Sequence, residues 1–181
     1  TEVQIDEPIL VLDLPEEIQS KFQPTYSKLA ANSALPDLVL TTYFGDVRPN
    51  LAAIKGLPVS GFHFDFVRVP EQFDDVVEIL NDKQSLSVGI VDGRNIWKTD
   101  LAKASTFVEK AISKLGKDRV VVATSSSLLH TPVDLNNEKK LDATIKDWFS
   151  FAPHKLYEVV VIDGKSALEG KRVGPGGRRI T

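Results

Sequence analysis

Short apolar runs alternate along the chain with polar turns and with stretches whose apolar residues recur every three or four positions. The first strand is expected at 3–5, ended by Asp6, Glu7 and Pro8. Residues 15–32 read as helical in part, with Pro24 expected to break or restart the helix. A second strand is expected at 38–44 with Gly45 and Asp46 as its turn, followed by a short helix around 49–54. A third strand is expected at 59–67. Pro70 then suits the first turn of a helix in which Phe73, Val76, Val77 and Leu80 form a buried stripe. The fourth strand is expected at 86–91, closed by Asp92 and Gly93. Its helix, about 100–115, sets Leu101, Ala104, Val108, Ala111, Ile112 and Leu115 on one face, with Gly116 as C-cap. A fifth strand follows at 119–124. Beyond Pro132, a helix carrying Leu141, Ile145, Trp148 and Ala152 inward is expected. The run 159–162 fits a strand by propensity and a helix by its flanking charges. From 164 to 181 the texture changes to a glycine- and arginine-rich stretch, expected as a disordered tail after a domain at 1–163.

This rhythm predicts an α/β protein with parallel strands joined by crossover helices. The runs at 38–40 and 120–122 are apolar on both faces, as strands covered by helices should be. An open doubly wound sheet and a (β/α)8 TIM barrel both fit. The barrel is preferred, although five strands are too few to close one. No Gly-x-Gly-x-x-Gly follows the first strand and no P-loop occurs, so nucleotide binding has no support.

Composition narrows the classes. The chain has 181 residues, 42% hydrophobic and 26% charged, enough to bury a core. With 22 Lys and Arg against 25 Asp and Glu, the net charge is -3, which argues against a nucleic-acid groove or an anionic membrane surface. No apolar run approaches the roughly 18 residues of a membrane span. The absence of cysteine removes disulfides, thiolate metal sites and cysteine nucleophiles from this chain. The absence of methionine, including an initiator, leads us to expect a piece of a longer protein.

Polar residues gather at the carboxyl ends of the expected strands, where parallel α/β folds place their sites. In the third strand, alternation puts three phenylalanines on one face and His63 with Asp65 on the other. The histidine and carboxylate could share a metal, exchange a proton, or form a satisfied polar layer. Asp6 and Glu7 suit a general base or a metal carboxylate, and Asp6 equally suits a turn cap. The turn 92–95 presents Arg94 to a carboxylate or phosphate, or is simply held by its own hydrogen bonds. Ser125, Ser126 and Ser127 lie close to His130 in sequence, but no Gly-x-Ser-x-Gly elbow surrounds them, which argues against a triad. The histidines His63, His130 and His154 are scattered, so a metal site within the chain is poorly supported.

Five motifs carry a resemblance: VQIDEP at 3–8, LTTYFG at 40–45, GFHFD at 61–65, VDGRNIW at 91–97 and SSSLLHTPVDL at 125–135. In this order they resemble the N-terminal domain of the cobalamin-independent methionine synthases, over about 3–161. The resemblance implies two (β/α)8 barrels face to face, with this chain as about the last five β/α units of the first barrel. It also favours a helix at 159–162. It implies methyl transfer from 5-methyltetrahydropteroyl-polyglutamate to homocysteine in the cytoplasm, with zinc holding the homocysteine sulfur as thiolate. The zinc ligands of that family, a His, two Cys and a Glu, belong to the C-terminal barrel, outside this chain. Set against that barrel, residues 41–44 lie where it carries its His and first Cys, Asp65 near its Glu, and Ser127 near its second Cys. The resemblance therefore implies that no zinc is bound here.

On this reading the chain is scaffold and cleft wall for the C-terminal catalytic barrel, and inactive by itself. Arg94, Asn95 and His130 are the expected substrate contacts. Asp6, Glu7, His63, Asp65, Asp92 and Ser127 form the expected polar barrel face. The alternative is a non-catalytic structural or interaction module. A weaker third reading is an independent decarboxylase or hydrolase using His63, Asp65 and Asp92.

Overall fold

The alternating pattern becomes a sheet with two unlike faces. The computed structural model describes residues 2–32 and 34–169. Its strands are β1 (Glu2–Asp6), β2 (Asp37–Thr41), β3 (Gly61–Asp65), β4 (Ser85–Val91) and β5 (Val120–Thr124). They form one sheet in the order in which the chain makes them, and every neighbouring pair is parallel. The connections carry helices: α1 (Glu16–Gln19) and α2 (Phe22–Ala30), α3 (Leu51–Ile54), α4 (Phe73–Ile79) and α5 (Leu101–Leu115). After β5 come α6 (Ala143–Lys146) and α7 (Ala152–Glu169).

The strand register explains the core. Ile5, Leu40, Phe62, Leu86 and Val120 are successive Cα partners straight across the sheet, and Phe64, Val88 and Val122 make the next parallel row. These side chains share one face, because strand residues two apart point the same way. The helices bring Phe22, Tyr26, Ile54, Phe73, Val108 and Ile162 onto that face. Each fully buried Phe or Leu in such a layer stabilises the fold by roughly 1.5–3 kcal/mol. Phe66, Phe73 and Phe107 close the layer, with centroids 5.2–5.7 Å apart.

Local chemistry sets the element ends. Pro24 lies in the first turn of α2, where its missing N–H is not needed, and the helix restarts at Phe22 after α1. Asp100 caps α5 by accepting from the backbone of Ala102 and Lys103, both at 3.1 Å. Gly116 ends that helix at φ 84°.

Several expectations are corrected. Strands expected at 38–44 and 59–67 stop at Thr41 and Asp65, because side-chain acceptors seize the backbone beyond them. The single helix expected beyond Pro132 is replaced by a 3-10 turn (Leu135–Asn137) and the one-turn α6. Asp134 and Asp142 accept from Asn136 and Thr144 at 2.8 and 2.9 Å, and so start two separate turns. Ile145 and Trp148 are consequently exposed rather than inward. The run 159–162 is helical, with Ile162 fully buried. α7 continues through Glu169, past the boundary expected at 163, so the backbone of 164–169 is helix and not tail. The rest of the expected tail lies outside the described residues. Among the described residues no helix is long and apolar enough to cross a membrane.

Candidate functional site

The face opposite the helices is polar. Asp6, Thr41, His63 and Ser87 are successive Cα partners, continued by Val121, and their side chains share one side of the sheet. Asp6, Thr41, His63 and Ser87 line a cavity of about 340 Å³, with Tyr43 and Ser127 at its carboxyl-end rim. Thr41 Oγ1 and Ser126 Oγ, in its wall, are buried with no hydrogen-bond partner in the protein, an arrangement that is uncommon in a finished core.

His63 is 6% exposed. Its Nδ1 lies 2.9 Å from Ser87 Oγ, and its Nε2 lies 3.4 Å from the Ser125 carbonyl. Burial pushes the imidazole pKa down, against smaller opposing effects of the Ser125 carbonyl and of Asp6. In the neutral ring, an Nε2–H directed at the carbonyl leaves Nδ1 to accept from Ser87. Gly89 makes room for this ring, since a Cβ there would stand 2.9 Å from His63 Cε1 and 2.7 Å from the Phe64 carbonyl oxygen.

Asp65, 2% exposed, is committed elsewhere. One carboxylate oxygen accepts from the backbone of Val67 and Arg68, both at 3.0 Å, and the other accepts from Phe44 N–H at 3.1 Å. Burial nonetheless raises its pKa, because desolvation outweighs those three donors. His63 and Asp65 thus share a face but serve different partners.

The 92–95 turn is held internally. Asp92 accepts from Arg94 N–H and from Asn95 Nδ2, both at 2.8 Å. Asn95 Oδ1 accepts from Trp97 N–H at 3.1 Å and from Lys155 Nζ at 3.0 Å. Lys155, which the sequence reading missed, is fully buried on α7 and also donates to the Trp97 carbonyl at 3.1 Å. Burial lowers its pKa, partly opposed by Glu158 and Asp92. In sequence it looks like any helix-surface lysine, because its partners Asn95 and Trp97 lie about 60 residues away.

Arg94 and His130 do come together. Both rest on Phe44: the guanidinium carbon is 4.4 Å from the ring centroid, and the imidazole is edge-on at 5.3 Å. Phe44 is a second residue the sequence reading missed, and the aromatic pair at the end of the 40–45 motif was the available signal. Ser127 Oγ accepts from Leu129 N–H at 3.3 Å. Glu7 leaves the expected polar face, correcting that assignment. It lies beyond β1, and its carboxylate accepts from Tyr26 OH of α2 at 3.0 Å.

Among the described residues no three His, Cys, Asp or Glu side chains gather as a possible metal group. Asp6, in the row with His63, accepts from Tyr43 OH at 3.1 Å, and Asp65 and Asp92 are engaged by backbone and side-chain donors.

The fold and this strand-end site define a parallel α/β protein with a polar cavity on the uncovered face. Residues 1–116 match the family described as cobalamin-independent synthase, N-terminal domain. A 5-methyltetrahydropteroyltriglutamate–homocysteine methyltransferase of Candida albicans is 73% identical over 161 residues, covering 89% of this chain and 21% of that protein. The Saccharomyces cerevisiae protein of the same name is 68% identical over 162 residues, covering 90% and 21%. One from Coxiella burnetii is 50% identical over 160 residues, covering 88% and 20%. A Listeria monocytogenes structure described as a vitamin-B12 independent methionine synthase shares the fold at TM-score 0.60 and 17% identity, covering 90% of this chain and 47% of that one. The chain belongs to the cobalamin-independent methionine synthase family, in its N-terminal domain. It spans about a fifth of the length of these curated relatives.

Proposed function

We propose that this chain is a section of the N-terminal (β/α)8 barrel of a cytoplasmic methyltransferase that makes methionine from homocysteine and 5-methyltetrahydropteroyl-polyglutamate. The 73% identity to the Candida albicans methyltransferase, across 89% of the chain, carries the reading. Sequential parallel strand order supports the barrel, because a doubly wound sheet reverses its order at a switch point. In a barrel the polar row through His63 faces the interior, and the open edges at β1 and β5 pair with further strands.

The chain's own part in that enzyme is to be scaffold and cleft wall. Zinc, which supplies the thiolate of homocysteine in this chemistry, belongs to ligands of the C-terminal barrel, so this chain alone is inactive. The exposed Leu129 and Val133, in the loop after β5, suit contact with that second barrel. Arg94 and His130 face the substrate's anionic groups, while Asn95 holds the turn that presents Arg94.

The test is methyl transfer by the intact protein that contains this chain, assayed beside the isolated chain. Methionine formation by the first alone is the expected result, with Arg94→Ala weakening use of the methyl donor. Turnover or stoichiometric zinc uptake by the isolated chain would sink the scaffold reading. No methionine from the intact protein would sink the methyltransferase reading.

A further inference from the structure

Phe44 has a backbone that its side chain should avoid. Its φ is 81°, and among the described residues it is the one non-glycine with positive φ. Such strain persists only where the surroundings over-determine it, and it collects at functional sites. Here the determinant is visible. Buried Asp65 accepts the Phe44 N–H with one carboxylate oxygen while the other is tied to Val67 and Arg68. The end of β3 thereby dictates the backbone that follows β2.

The strained conformation aims the ring at two other strand ends. Arg94, after β4, lies over its face, and His130, after β5, meets it at an interplanar angle of 73°. Tyr43 braces it from the cavity side, with centroids 4.5 Å apart. Among the described residues the Arg94 guanidinium has no carboxylate or carbonyl acceptor, so its forked donors stay free for a ligand. A flexible arginine would ordinarily lose much rotamer freedom on binding an anion, and stacking on a fixed ring removes part of that loss beforehand.

We propose that Phe44, locked by Asp65, is the positioning residue that holds Arg94 and His130 as one preorganised site for a substrate carboxylate. This rests on the reading above that the strand-end rim faces substrate. Phe44 itself donates nothing to the ligand and acts through the two side chains on its ring.

The test uses the intact enzyme carrying this chain, as wild type, Arg94→Ala, Phe44→Leu, the double variant and Phe44→Tyr. Phe44→Leu is expected to raise KM for the methyl donor about three- to ten-fold, with kcat little changed, as for loss of a stacked cation. The double variant should raise KM by less than the product of the two single effects, because the Arg94 share is counted in both, and Phe44→Tyr, which keeps the ring, should keep the wild-type KM. If Arg94→Ala raises KM while Phe44→Leu does not, or if the two effects multiply, the proposal is overturned and the substrate-facing reading stands. If Arg94→Ala is silent in an active enzyme, both fall. A second readout does not need turnover: the His130 ring signal of histidine-labelled enzyme, titrated with glutarate. It should shift saturably in wild type and Phe44→Tyr and stay still in Phe44→Leu. No shift in wild type, or the same shift in Phe44→Leu, overturns the proposal even if methyl transfer is not the activity.

Discussion

Gly89→Ala is predicted to destabilise the protein by about 1–3 kcal/mol, the usual cost of forcing extra volume into a packed interior. The position is in β4, opposite Asp65 on one side and Ala123 on the other. An added Cβ would stand 2.7 Å from the Phe64 carbonyl oxygen, 2.9 Å from Ser125 Cα and 2.9 Å from His63 Cε1. Two of those three atoms are backbone, so no rotamer change relieves them. The third belongs to a ring already held between Ser87 and Ser125. Alanine recovers only about 0.5–1 kcal/mol through reduced freedom of the unfolded chain and better strand propensity. Gly56 is the control. It has φ +79° and open space where its Cβ would be, so Gly56→Ala costs only the left-handed conformation, about 1–2 kcal/mol. Asparagine tolerates that conformation, so Gly56→Asn should recover most of the loss while Gly89→Asn should be worse than Gly89→Ala. Urea unfolding followed by tryptophan fluorescence reads all four variants, with the slope m checked for constancy. A Gly89→Ala midpoint equal to wild type would refute the steric account. So would rescue of position 89 by asparagine.

Asp100→Ala removes the acceptor for two first-turn N–H groups of α5 and should cost about 1 kcal/mol in the same assay; an unchanged midpoint would mean water caps the helix equally well. Lys155→Met leaves the Trp97 carbonyl without its donor, so a loss of about 1–3 kcal/mol is expected, whereas a gain would show that desolvating the ammonium outweighs its hydrogen bonds. His63 has a folded pKa below 6.5, so the unfolded chain binds more protons between that lowered value and 6.5, and stability rises with pH across the window. His63→Gln should flatten the rise, measured as urea midpoints against pH. Asp65 works in the opposite sense: its raised folded pKa means that stability falls as pH climbs from 3.8 toward that value, and Asp65→Asn should remove the fall.

The fold was legible where a period of two or of 3.6 runs through consecutive residues. Phe62, His63, Phe64 and Asp65 alternate so strictly that the two faces of β3 could be assigned before any neighbour was known. What His63 bonds to was not legible, because Ser87 and Ser125 reach it only through the order of β3, β4 and β5. The 132–152 stretch misled for the converse reason. Its apolar spacing suits one helix, but two aspartates bind nearby N–H groups and divide it, and Trp97 pairs with Phe149 across an isolated bridge. At the rim the local rule pointed to the wrong residue. A positive φ in Tyr-Phe-Gly belongs by propensity to Gly45, yet Phe44 takes it. Gly45 is small for another reason, since a Cβ there would come 3.0 Å from Val11 Cβ. The determinant of Phe44 is a carboxylate 21 residues away, and no window of local sequence contains it.

The two faces of the sheet therefore divide their tasks, and Asp65 is where the tasks meet. Outer-row residues such as Leu40, Phe62 and Leu86 touch nothing but core, so truncating them should cost folding and leave ligand geometry intact until the protein unfolds. Arg94 and His130 are exposed, so losing them should cost binding with little effect on stability. Asp65 is buried like the first group, yet its hydrogen bonds set the conformation that aligns the second. Its amide variant keeps one acceptor oxygen and must abandon either Phe44 or the Val67–Arg68 pair. Where the oxygen stays with Val67 and Arg68, the Phe44 N–H is orphaned, and the ring loses the constraint that holds it under Arg94. A single buried carboxylate thereby converts the order of the strands into the shape of the rim.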